Sequence, residues 1–283
     1  MAAPSSLDWK SRAEKLQHRW DSLQERGRGD AVLLKASDTL HRLHDICSKD
    51  LQNCEKSSCL SLYTQAILDI TFYEENQLVD EEFPGDDSLQ KVRELIQMLL
   101  EPEHLVEESK FLKQHIVLDV DVQECLRWRR GALLYMYCHT VGEREGWVLR
   151  DQRTFHQCLE DGVHNLMKML HTRNPVQLND EVSFQDINTA ALLAKGIFSD
   201  IHVLALMYCG EMCFWALTYC MEVVQTSDAG PNSETCNKIL NFKEVGEHVL
   251  ETYVDACEGP LRGQGWNTDN AKKILQSLRK DRM

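Results

Sequence analysis

The sequence predicts an all-α fold. Apolar residues return every three or four positions along most of the 283-residue chain, as one buried face of a helix requires. Only six prolines and fourteen glycines interrupt them, so the helical runs are long. The single β-branched run, His115 to Val120, has no second strand to pair with, and an isolated strand makes no sheet.

Taken in order, Ser5 and Ser6 cap a first helix whose Trp9, Ala13, Leu16, Trp20 and Leu23 form one apolar stripe, ended by Gly27 and Gly29. Asp30 opens a second helix, to about Lys49, with Leu33, Leu34, Leu40, Leu43 and Ile46. Lys49 to Ser58 is polar and expected to be a loop. Leu60 to Leu78 is the third helix, burying Leu62, Tyr63, Ala66, Ile67, Ile70 and Tyr73. It runs into the acidic turn Asp80 to Asp87, where Pro84 and Gly85 are breakers. Ser88 caps a helix to about Leu100, and Pro102 starts a shorter one to about Lys113. His115 to Val120 is taken as an extended linker.

Asp121 to Val141 is a strongly apolar helix, and Thr154 to Arg173 is another, ended by Asn174-Pro175. Asp186 to Lys195 is a short helix stopped by Gly196. Ile197 to Val224 is the densest apolar run, read as one central helix. Phe242 to Cys257 follows, ended by Gly259-Pro260. Asn267 or Thr268 caps the last helix, with Ala271, Ile274, Leu275 and Leu278 inward. The expectation is one all-helical domain over 1–283, about ten helices packed around the segment 197–224. The first five or so residues and the Ser-, Gly-, Asn- and Pro-rich loop 226–236 are expected to be flexible.

Val203 to Met221 is long enough to cross a bilayer, but Glu211 sits at its middle. A carboxylate there costs roughly 2.5 kcal/mol or more, and no basic clamp flanks the run. A core helix with no membrane span is therefore expected. Asp200, Glu211, Thr218 and Glu222 share one azimuth, read as a thin solvent-facing stripe. Glu211 and Glu222 stand roughly 16 Å apart along the axis, too far to share a proton or a metal.

The net charge of −14 disfavours a nucleic-acid partner. The charge is uneven: residues 74–108 hold twelve Asp/Glu against two Lys/Arg, whereas the end of the chain carries Lys272, Lys273, Arg279, Lys280 and Arg282. An acidic stretch of this kind favours a basic protein surface. Eleven cysteines without a Cys-x-x-Cys, behind an N-terminus (MAAPSSLDWK) unlike a signal peptide, read as reduced thiols of a cytosolic protein.

Several residue pairs could carry chemistry. His44-Asp45 resembles part of a helical metal-dependent hydrolase site, the alternative function class. Such a site needs another His and Asp, and His41 is one turn away while His18 is on another helix. Glu101 and His104 match one element of a di-iron bundle, with Pro102 between them and no second element. Cys209 and Cys213, one turn apart, lack further ligands and fit core packing. Cys54 and Cys59 flank the polar segment. Arg129 and Arg130 can bind an anion, but ion pairing with the acidic loop is the expectation. No nucleophile elbow, P-loop or dinucleotide motif is present. No catalytic, cofactor-binding or metal-binding residue is expected.

Four stretches carry a family resemblance: Leu62–Pro84 (LYTQAILDITFYEENQLVDEEFP), Trp128–His139 (WRRGALLYMYCH), Val182–Leu217 (VSFQDINTAALLAKGIFSDIHVLALMYCGEMCFWAL), and Cys257–Leu261 with Trp266–Leu275 (CEGPL, WNTDNAKKIL). In order and over most of the chain, they resemble the vertebrate Rab-seven-interacting subunits of the Mon-one/Ccz-one guanine-nucleotide exchange complex. The resemblance implies a non-enzymatic cytosolic adaptor. Its partners would be the late-endosomal Rab in its GDP form and the exchange complex. It would support Rab stability and recruitment to damaged mitochondria in mitophagy. It carries over no catalytic residues. Residues Asp80, Glu81 and Glu82 with Phe83, and Phe72 and Tyr73 beside them, are the expected contact surface, because aromatic anchors inside a charged rim suit interfaces.

Overall fold

A computed structural model describes residues 7–27, 29–48, 53–85, 87–112, 116–144, 146–177, 186–220 and 240–280. The first five residues, the loop 226–236, Glu222 and the side chain of Cys54 lie outside the described residues. The described chain is all-α, without a strand. Its helices are α1 (Trp9–Gln24), α2 (Ala31–Cys47), α3 (Asn53–Asp80), α4 (Ser88–Phe111), α5 (Val120–Gly142), α6 (Trp147–Arg150), α7 (Gln152–Leu170), α8 (Ile187–Ala194), α9 (Asp200–Tyr219), α10 (Phe242–Glu258) and α11 (Asp269–Lys280).

Short polar side chains set five of the described starts. Asp8, Asp30, Asp151, Asp186 and Asn241 each accept a hydrogen bond from a main-chain N–H of the first turn they precede. Asp8 thus caps α1, the role expected of Ser5 and Ser6, which lie outside the described residues. Residues 116–119 are extended, as the linker expectation had it.

The central helix, expected over 197–224, is shorter, running from Asp200 to Tyr219 with Cys220 already off the helix. Two further boundaries differ from expectation. First, α3 begins at Asn53, so much of the supposed loop is helix. Ser57 and Ser58 are exposed while Cys59 and Leu60 are buried. The polar residues there mark the outer face of the helix and not a break. Second, α4 runs unbroken through Pro102, where a proline costs about 3 kcal/mol. Pro102 lies on the buried face with Leu95, Leu99 and Leu105, so packing holds the helix across the missing hydrogen bond.

The chain divides into two compact units, Met1–Leu126 and Arg127–Met283. The division falls inside α5, so no loop or breaker in the sequence marks it. In the first unit α2 and α3 form the main helix pair, with α1 against α2 and α4 against α3. Their core includes Trp9, Trp20, Leu33, Leu40, Tyr63, Ile67, Ile70, Leu99 and Leu105. Trp20 Nε1 donates to the Leu33 carbonyl at 2.8 Å, which joins α1 to α2 and satisfies the buried indole.

In the second unit α9 is the shared element, packed by α7, α10 and α11. His202, Val203, Ala205, Leu206, Cys209, Gly210, Met212, Cys213 and Ala216 are buried along it. Gly210 lets α10 come close: a methyl at that position would sit 2.3 Å from Leu250. The helix is long and apolar enough to span a bilayer, yet 56% of that window is buried inside the protein. This is the condition of a core helix.

Glu211 corrects the sequence expectation of a plain solvent stripe. It is half-buried and accepts from the Tyr135 hydroxyl and from Asn270 Nδ2, both at 2.6 Å. Burial, then the bond to Glu211, hold the Tyr135 hydroxyl well above its usual range, so it stays a donor. Tyr135 also stacks on Tyr208 with ring centroids 3.7 Å apart, and Tyr208 stacks on Trp128. Arg130 is only 1% exposed, so it does not offer its guanidinium to an anion from solvent.

Candidate partner-binding surface

The acidic turn is built by the way α3 stops. The N–H of Phe83 donates to the Leu78 carbonyl at 2.7 Å, and the N–H of Glu82 donates to the Val79 carbonyl at 2.9 Å. These crossed bonds are a Schellman motif, whose left-handed residue is usually glycine. Here both Glu82 and Phe83 stand at φ +53°. A side chain in this region costs roughly 1–2 kcal/mol. What offsets that cost is apolar: Leu78 and Phe83, the pair the motif brings together, are both buried, and Phe83 is 0% exposed.

The motif therefore sorts the expected surface. Asp80, Glu81 and Glu82 are exposed together at one tip. Phe83 is turned inward, so it is a packing residue and not a surface anchor. Tyr73 is also interior, with its hydroxyl accepting from Gln77 Nε2 at 2.8 Å. Phe72 is 45% exposed, but it stands eight residues before Asp80, roughly 12 Å down the helix. The structure brings the three carboxylates together and leaves the aromatic rings elsewhere.

Arginines of α1 neutralise part of the acidic stretch, which sequence reasoning missed. Arg19 forks onto Glu74 with contacts of 2.8 and 2.9 Å. Arg12 reaches Glu101 at 2.5 Å and Glu108 at 3.2 Å. Each pair is half-exposed and contributes up to about 1 kcal/mol. The signal was present: Arg12 and Arg19 are seven residues apart, hence on one side of α1, at the flank of its apolar stripe. A cavity of about 420 Å³ adjoins the tip, lined in part by Arg19, Arg26, Glu74, Glu81, Lys91 and Glu94. Lys91 also pairs with Asp87 at 3.1 Å. Asp80, Glu81 and Glu82 are all exposed at this end of α3.

The candidate chemical pairs gather no further ligands among the described residues. His44 is half-buried and Asp45 exposed. Among the described residues no three His, Cys, Asp or Glu side chains converge as metal ligands do. Glu101 is committed to Arg12. Cys209 and Cys213 are both buried, and burial pushes the Cys213 thiol up, away from the thiolate a metal needs.

The chain matches the family model described as RAB7A-interacting MON1-CCZ1 complex subunit 1 over residues 32–279. The relative of that name from Homo sapiens is 51% identical over 256 residues, covering 88% of this chain and 87% of the relative. The one from Danio rerio is 45% identical over 274 residues, covering 96% of this chain and 97% of the relative. No solved structure matches the chain. Similarity of this extent makes the chain a member of the RAB7A-interacting MON1-CCZ1 complex subunit 1 family.

Proposed function

We propose that this chain is a non-catalytic adaptor that binds a RAB7A-type GTPase and the MON1–CCZ1 complex. The carrying observation is its alignment with 87% of the length of a relative named for those two interactions. The tip at Asp80–Glu82 supports a contact role. It presents three carboxylates, and the last of them, Glu82, keeps a costly backbone conformation with Phe83; such strain concentrates where function requires a fixed geometry. A basic patch on either partner is its complement.

We further assign the adaptor a preference for the GDP form of the GTPase. From this follow support of Rab stability and recruitment to damaged mitochondria in mitophagy. These finer roles rest on the family resemblance. A cytosolic location goes with them, supported by nine described cysteines outside any disulfide.

The test uses the full chain with purified RAB7A, loaded either with GDP or with a non-hydrolysable GTP analogue, and separately with purified MON1–CCZ1. Saturable binding to both partners, tighter with GDP, is expected by titration calorimetry. Binding to neither would remove the adaptor role. Equal affinity for the two nucleotide forms would remove only the GDP preference.

A further inference from the structure

A small box of aromatic rings opens in the second unit, formed by the end of α5, the start of α7 and the end of α9. His139, Glu143, Phe155, Trp215 and Tyr219 line a cavity of about 180 Å³ there, with Gly142 in its wall.

The rings that line it are crossed. Trp215 and His139 have ring centroids 5.8 Å apart and planes 55° apart, and Tyr219 meets Phe155 at 6.4 Å and 69°. Rings set at such angles bound a box, whereas a slot for a flat group needs them parallel. Trp215 also stacks on Tyr135 at 5.3 Å and 24°, which holds its plane. Phe155 is 1% exposed and closes the floor, while Tyr219 is 43% exposed and stands at the mouth.

A missing side chain keeps the space open. A methyl at Gly142 would meet only Phe155 Cζ, at 3.9 Å, so a larger residue would grow into the cavity. By the share of volume that a water takes in the liquid, there is room for about six waters. That suits the head of a ligand and not a drug-sized body.

The charge of the lining selects a cation. Glu143 lines the cavity with its side chain 75% exposed and its Oε1 3.8 Å from His139 Nε2. Among the described residues, the lining holds no lysine or arginine. Aromatic faces are negative, so rings and carboxylate favour the same sign. Hydrogen bonding then chooses among cations. A bare ammonium is strongly hydrated and a guanidinium brings five N–H donors, and ring faces are poor substitutes for the bonds these groups would lose. A methylated ammonium makes no such demand, because its charge is presented on methyl groups that pack against rings. A phosphocholine headgroup ends in the same group but carries a phosphate two carbons away, which Glu143 would repel.

We propose that this box binds the methylated ammonium of a lysine side chain presented by a partner protein. Phe155, Trp215 and Tyr219 surround the methyl groups, and Glu143 faces the charge from the mouth. The site shares no residue with the acidic tip and does not depend on the adaptor role.

The test titrates the full chain, at pH 8 and low salt, with N-acetyl-trimethyllysine amide, followed by ligand-observed NMR. The comparison ligands are the unmethylated lysine amide, a neutral analogue with carbon in place of the ammonium nitrogen, and phosphocholine. Saturable binding of the trimethyllysine probe is expected, at least about fivefold tighter than that of any comparison ligand. Gly142→Leu fills the box from its wall and is expected to remove binding, with the unfolding midpoint no lower than that of wild type. Glu143→Lys, at a solvent-facing position, is expected to weaken binding at least about fivefold with the midpoint unchanged. No saturable binding by the wild-type chain, or equal binding of the neutral analogue or of unmethylated lysine, overturns the proposal. So does wild-type affinity in either folded variant. Phosphocholine bound as tightly as the probe assigns the box to a choline headgroup and overturns it too. Each of these outcomes leaves the adaptor role standing.

Discussion

Helices α3 and α8 end in the same pair of crossed hydrogen bonds and differ at the residue that matters most. At the end of α8, Ile197 N–H donates to the Leu192 carbonyl at 2.9 Å and Gly196 N–H donates to the Leu193 carbonyl at 3.1 Å. The left-handed residue is Gly196, at φ +74°, and the apolar residue that follows, Ile197, is buried. At the end of α3 the left-handed residue is Glu82, and Phe83 after it is left-handed as well. The first end adopts its turn at no steric cost. The second is held by a buried phenylalanine against its own backbone preference. A helix stop built with glycine needs no further reason. One built with two costly residues, carrying three exposed carboxylates, points to a demand beyond stopping the helix.

Substitutions at the two ends separate packing from backbone strain. The largest effect is expected from Phe83→Ala. It removes a fully buried ring and should cost about 3–5 kcal/mol, read by chemical denaturation of the full chain. It should also raise amide exchange at the end of α3. If stability fell by only a fraction of this, Phe83 would not be what holds the turn. Next comes Gly196→Ala. The added methyl would meet only Pro175 Cγ at 3.5 Å, an ordinary contact, so its cost is that of the backbone. About 1–2 kcal/mol is expected by the same measurement. Smallest is Glu82→Gly, expected to stabilise by about 0.5–1 kcal/mol once the extra freedom of the unfolded glycine is discounted. A Glu82→Gly chain no more stable than wild type would mean that the turn stores no strain there.

The two ends also show what a sequence reveals. Gly196 announces its stop, and Asp30 and Asp186 announce their starts, because one residue acts on its own backbone. Helical period likewise gave the buried face of α3, from Tyr63 to Tyr73, and the enclosed α9. The features that were not legible are made by distant partners. Pro102 reads as a start until Leu99 and Leu105 are seen packed on its face. Glu211 reads as solvent-facing until Tyr135 and Asn270 arrive, 76 and 59 residues away. The acidic stretch reads as one surface until Arg12 and Arg19 claim Glu101, Glu108 and Glu74. Phe83 reads as an anchor because its chemistry suits one. Only the crossed bonds that turn it inward show that it anchors the fold instead.

The most direct test of the acidic tip reverses its charge while keeping Phe83 in place. A chain carrying Asp80→Lys, Glu81→Lys and Glu82→Lys should retain its helical signal and bind RAB7A or MON1–CCZ1 at least about tenfold more weakly than wild type at low salt. The difference should shrink as ionic strength rises. A reversed chain that binds both partners with wild-type affinity at every salt concentration would contradict the assignment of this tip as the contact surface.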